Sequence, residues 1–128
     1  MKKAILIDAN IIIRFLLGDH PEFSPKAKII FSKAQEGFYV IYLDEVVVAE
    51  VIWTLSSYYR IAKTTIVNQL EKLVSQDWII NPRKKLILET LELFRLQNLD
   101  YIDCWGFIIS KSKNIRLTTF DKKLNMLK

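Results

Sequence analysis

The chain has one cysteine, Cys104, and one histidine, His20. A lone thiol cannot form an internal disulfide, and nothing resembles the C-x-x-C pairs of a zinc centre, so the expectation is a protein of the reducing cytoplasm. One imidazole leaves no two-histidine acid–base mechanism, and a His/Cys zinc site is excluded by counting. Glycine and proline number three each. With no polar low-complexity tract beside them, that scarcity argues against disorder and against a linker between modules. Gly18, Gly37 and Gly106 stand apart, so there is no glycine-rich phosphate loop. Long apolar runs are missing too. The longest stretch without a formal charge, Val51 to Tyr59, falls far short of the about 20 apolar residues that span a bilayer, and no membrane association is expected. Lys2 and Lys3 imitate the start of a secretory leader, but the apolar run behind them, Ala4 to Ile7, is ended by Asp8 and is too short for one.

What is present fits a single domain over residues 1–128, half of it apolar. A chain of this size buries roughly 65–70 % of the surface its unfolded form exposes, enough for a core without disulfides. The net charge of +5 is unevenly placed. Residues 1–110 are neutral, whereas residues 111–128 hold Lys111, Lys113, Arg116, Lys122, Lys123 and Lys128 against Asp121 alone. Such a segment is either an attractor for a polyanion or a solvated face kept soluble by lysines.

Local signals alternate between strand and helix. Lys3 to Asp8 reads as a short, fully buried strand, and Asn10 to Leu17 as a helix stopped by Gly18. Ser24 as N-cap, Pro25 and Gly37 punctuate a second helix. Phe38–Leu43 is a second strand. Asp44 caps a helix from Glu45 to about Arg60, apolar nearly all round and so expected to be buried. Thr64 or Thr65 opens another, ending near Gln76. Trp78–Ile80 is a third strand, and Asn81-Pro82 caps the helix that carries Leu86, Leu91 and Phe94. Asp100 caps Tyr101 to about Lys111, Ile115–Thr118 gives a fourth strand, and Lys122–Leu127 a terminal turn. The class is α/β, layered around a mainly parallel sheet, with ligands expected at the C-terminal strand edge.

Four acids stand out by position. Asp8 ends the first strand, Glu50 interrupts an apolar helix, Asp103 lies in the first turn of a helix, and Asp121 follows the last predicted strand. Asp8 and Asp121 either cap the helices after them or serve a site, and Asp103 either satisfies first-turn amides or joins it. A buried carboxylate costs several kcal/mol unless compensated, so something positive is expected near Glu50, with Arg14 one partner to consider. Hard divalent cations prefer such oxygen ligands and leave positions open for a phosphate oxygen and a water.

The sequence resembles the PIN-domain family, and more closely its VapC-type toxins of toxin–antitoxin pairs. The carrying segments are Ile5-Leu-Ile-Asp8-Ala-Asn10, Val48-Ala-Glu50-Val-Ile-Trp-Thr-Leu55, Tyr101-Ile-Asp103 and Leu117-Thr-Thr119-Phe-Asp121-Lys-Lys-Leu124, together spanning residues 5–124. The resemblance implies a Rossmann-like α/β/α sandwich and an endoribonuclease dependent on Mg²⁺ or Mn²⁺. It transfers metal-ligand or water-orienting roles to Asp8, Glu50, Asp103 and Asp121, and supporting polar roles to Asn10 and Thr119. It further implies an RNA substrate, a homodimer and a cognate antitoxin that obstructs the acidic site. Lys122, Lys123 and Arg116 would then border that site as an RNA-binding rim. After Asp103 the family usually carries small residues, where this chain has Cys104-Trp105-Gly106; Trp105 either narrows the groove or stacks on a base, or fills space between helix and sheet. Many relatives continue into a final strand, so four strands are expected here.

Other phosphoryl-transfer classes fit less well. A haloacid-dehalogenase-like domain needs a second Asp two residues after the first, where Asn10 stands, and a response-regulator receiver needs paired acids where Asp8 is single. A non-catalytic module binding nucleic acid or protein is the rival, with Trp53, Tyr58, Tyr59 and Trp78 either lining a partner groove or filling the core.

Overall fold

The computed structural model describes residues 3–127, and the chain divides into two compact units, one ending at Pro82 and the other beginning at Arg83. The first unit contains β1 (Ala4–Leu6), α1 (Ala9–Leu17), α2 (Phe23–Gln35), β2 (Val40–Tyr42), α3 (Glu45–Ser57), α4 (Lys63–Val74) and β3 (Ile79–Ile80). The strands form a parallel sheet in the order β1-β2-β3, with Ile5 opposite Ile41 and Ile41 opposite Ile79. Parallel neighbours need long crossovers, which α1 with α2 and α3 with α4 supply. Ile41 and Ile79 on the sheet, Ile12 from α1, Val48, Val51 and Leu55 from α3, and Ile66 and Leu70 from α4 are fully buried. Each contributes roughly 1.5–3 kcal/mol through apolar area removed from water.

Several elements depart from their sequence signals, each for a local reason. β1 is not fully buried: it pairs only with β2 among the described residues, and Leu6 is exposed. Ser24 is not the cap of α2. The helix begins at Phe23, two residues before Pro25, and its first amides are taken by His20, whose Nδ1 accepts from Glu22 N at 3.2 Å and Phe23 N at 2.9 Å. Ser24 instead joins two helices, its hydroxyl donating to the Arg14 carbonyl at 2.6 Å and accepting from His20 N at 3.0 Å. Gly18, at φ 65°, turns the chain out of α1 and donates to the same carbonyl. Such a left-handed cap favours glycine, which has no Cβ to clash there.

Asn81 does not cap the next helix either. Its side-chain amide is buried and donates to the Leu43 carbonyl at 2.7 Å and to the Glu45 carboxylate, tying the end of β3 to the exit of β2. The turn that follows is capped by Arg83 without a side-chain hydrogen bond.

The second unit is helical: α5 (Lys84–Leu96), α6 (Tyr101–Lys113) and the short α7 (Lys122–Asn125). Ile87, Leu91 and Phe94 of α5 are buried with Tyr101 and Cys104 of α6, and the Phe94 and Tyr101 rings meet edge to face, centroids 5.9 Å apart. Asn114 turns the chain out of α6 in a left-handed conformation. The strand expected at Ile115–Thr118 is absent, and that stretch has no regular structure. A strand exists only as part of a ladder, and no described segment pairs with this one; Ile115 is exposed. Among the described residues the sheet therefore has three strands rather than four.

Candidate carboxylate site

Asp8 follows β1 immediately after the buried Ile7 and caps α1, its Oδ1 accepting from Ile11 N at 3.1 Å. The capping and functional readings of this residue are compatible, because the second carboxylate oxygen forms no hydrogen bond among the described residues. Asp8 and the exposed Asn10 line a pocket of about 280 Å³ with Arg14, Phe23 and Lys26.

Glu50 is not buried. α3 hides Val48, Val51, Ile52 and Leu55 but turns Val46, Glu50 and Trp53 to solvent. These three lie four and three residues apart, the spacing of one helix face. The expectation of a compensating cation falls with the burial that motivated it: among the described residues Glu50 forms no ion pair with Arg14 or with any other group. Hydration compensates the charge instead.

The second unit gathers the other two acids. A pocket of about 390 Å³ is lined by Asn98, Asp100, Asp103, Asp121, Lys122 and Lys123, with Leu99. Asp121 caps α7, its Oδ1 accepting from Leu124 N at 2.9 Å, while its own N–H donates to Thr119 Oγ1 at 3.1 Å. Thr119 is held in turn through its carbonyl, which accepts from the Asn125 amide at 2.9 Å. Asp103, half-buried on the first turn of α6, has its carboxyl pushed above the usual aspartate value by desolvation first, then by the like charges of Asp100 and Asp121.

Asp100 is the residue that sequence reasoning missed. It stands at the N-cap of α6, where the sequence suggests a cap and nothing more, yet its side chain makes no capping hydrogen bond and faces the pocket. The signal lies in the spacing: acids three residues apart at a helix start share one face. Of the expected rim, Lys122 and Lys123 are walls of the pocket, whereas Arg116 is exposed on the preceding irregular stretch and is not.

The chemistry of this donor set suits a hard cation. Asp100, Asp103 and Asp121 are oxygen donors, and the charges that Asp100 and Asp121 impose on Asp103 are those a divalent ion would offset. The side chains are not drawn into a coordination sphere, however: among the described residues no three carboxylate, imidazole or thiol groups are placed to hold a metal ion.

The PIN-domain family model matches residues 5–128, across both units. The chain belongs to the PIN-domain family. Its α/β class with a parallel sheet agrees with that membership. PIN domains have a nuclease-type fold, act on nucleic acid and are generally dependent on divalent metal ions. No curated protein and no solved structure matches this PIN domain. No helix among its described residues is long and apolar enough to cross a membrane. Where the family usually has small residues after the third acid, Cys104 is fully buried, Trp105 is half-buried, and a Cβ at Gly106 would meet open space.

Proposed function

We propose that this PIN domain, residues 1–128, is a divalent-cation-dependent endoribonuclease of the cytoplasm and the toxin of a VapBC-type toxin–antitoxin pair. The observation that carries the reading is the pocket where Asp100, Asp103 and Asp121 face Lys122 and Lys123, on a chain of this family. Oxygen donors for a hard cation and ammonium groups for phosphate stand side by side there.

Asp8, Glu50, Asp103 and Asp121 are assigned to holding Mg²⁺ or Mn²⁺ and to orienting the attacking water. Bound there, the ion supplies Lewis acidity toward that water and toward a phosphate oxygen. The remaining work belongs to the chain. Asp8 and Asp121 are each pinned by a cap bond to one oxygen, the other forming no hydrogen bond among the described residues, which limits the entropy lost on engaging a ligand. Thr119 fixes the Asp121 backbone, and Asn10 offers an amide beside Asp8. Lys122, Lys123 and Arg116 attract the RNA backbone. A homodimer, and an antitoxin that covers the acids, complete the proposal.

Cleavage of cellular RNA by the purified chain with Mg²⁺, lost in Asp8→Asn and Glu50→Gln, is the expected result. Cleavage by that double variant at the wild-type rate would overturn the assignment. Growth arrest on induction, relieved by the product of an adjoining small reading frame, tests the toxin role. A second reading, a non-catalytic binding module, draws on the absence of three convergent metal donors among the described residues; it requires the wild-type chain to bind RNA without cutting it.

A further inference from the structure

Phe120 is fully exposed, directly before Asp121. Its ring makes no aromatic or cation–π contact among the described residues. A phenylalanine left in water forgoes roughly 1.5–3 kcal/mol of burial; other large apolar side chains, Phe38 and Met126 among them, are exposed as well, and what sets Phe120 apart is the charge beside it. The backbone on either side is held firmly: Asp121 N–H donates to Thr119 Oγ1, the Asn125 amide donates to the Thr119 carbonyl, and Asp121 caps α7. The ring is thus a free aromatic surface on a fixed mount. Immediately beyond it come Asp121, Lys122 and Lys123, all exposed and all walls of the carboxylate pocket, with exposed Arg116 four residues before.

We infer that Phe120 is a stacking platform for an unpaired base of single-stranded RNA, with Lys122 and Lys123 taking the neighbouring phosphates. The inference deepens the nuclease reading and rests on it for the choice of RNA. Charge decides the occupant. A protein surface that buried Phe120 would also dehydrate Asp121 and two lysines, so only a partner supplying a matching charge for each, as the proposed antitoxin must, could sit there. A base needs one face of the ring only, leaves Asp121 hydrated, and brings phosphates that pair the lysines. Duplex RNA offers no free base face, so the platform selects unpaired segments.

The test is fluorescence anisotropy with a short labelled oligoribonucleotide, single-stranded or annealed to its complement, titrated with the full chain in EDTA. Phe120→Ala is expected to weaken single-strand binding by about ten-fold while leaving duplex binding unchanged, as removal of one base stack predicts. Phe120→Tyr, which keeps the ring, is expected to restore it. Lys122→Ala with Lys123→Ala should weaken both forms. Unchanged single-strand affinity in Phe120→Ala would overturn the inference, and so would equal weakening of both forms. A change in solution mass with RNA binding intact would overturn it in favour of a protein partner. Phe120-dependent binding by a wild-type chain that never cuts RNA in Mg²⁺ would uphold the platform and defeat the nuclease reading. Cleavage abolished by Asp8→Asn but untouched, with binding, by Phe120→Ala would do the reverse.

Discussion

Asp100 and Asp103 stand three residues apart at the start of α6 and face one pocket, and the pKa of Asp103 is raised by burial first and then by the charges of Asp100 and Asp121. A carboxyl with a raised folded pKa binds protons more tightly in the native state than in the unfolded chain. Its favourable contribution is therefore complete below the ordinary aspartate value and lost as pH rises through the raised one. Removing the charge should recover what neutral pH takes away. Asp103→Asn is expected to raise Tm at pH 7, with the gain vanishing as the pH falls below the ordinary aspartate range; thermal melts across that range are the measurement.

The same crowding makes a cation stabilising. Mg²⁺ added to the wild-type chain at neutral pH should raise Tm, by an amount equivalent to about 2.7 kcal/mol at a hundred-fold excess over Kd. Asp103→Asn with Asp121→Asn should show no such rise. A metal-independent Tm in the wild type would count against the site.

At Asp8 the structural and chemical roles separate cleanly. Asparagine caps a helix as well as aspartate does, so Asp8→Asn should change stability by less than about 0.5 kcal/mol. Glu50→Gln should be equally silent, since the side chain is exposed. Both should lower RNA cleavage by on the order of a hundred-fold or more, the scale at which a group stabilising developing charge acts. Melting curves and single-turnover cleavage, run on the same preparations, separate the two effects.

His20 has a role that its isolation in the sequence does not suggest. Its Nδ1 closes the first turn of α2, and its ring stacks on Phe23, centroids 4.7 Å apart. His20→Ala should cost about 1 kcal/mol, as loss of a helix cap does, without altering cleavage. Chemical denaturation would show it as a lower midpoint at unchanged m-value.

Lys122 and Lys123 bear on the polyanion. Replacing both with alanine should flatten the dependence of RNA affinity on salt, by about 0.7 in the log–log slope for each phosphate of a single strand that is no longer neutralised. The metal-linked Tm rise should survive, because no carboxylate is touched.

The caps show what sequence alone determines. Asp8, Asp44 and Asp121 each cap a helix by accepting an amide two or three residues ahead, and Gly18 ends one. Those bonds are local, so the residues that make them suffice to place the helices, and with them the acids at helix starts. The concentration of positive charge beside Asp121 was equally legible. Tertiary structure decided the rest. Whether Ile115–Thr118 became a strand depended on a neighbour to pair with, and whether Glu50 was buried depended on which face of α3 the core left uncovered. His20 displaced Ser24 as a cap because the Arg14 carbonyl claimed the serine hydroxyl, and Asn81 was drawn away by the Leu43 carbonyl. In each case an acceptor or a partner distant in the chain prevailed over the local one. The +5 charge was a property of composition; the exposure of Phe120 beside its lysines, and of Asp100 beside Asp103, belongs to the fold.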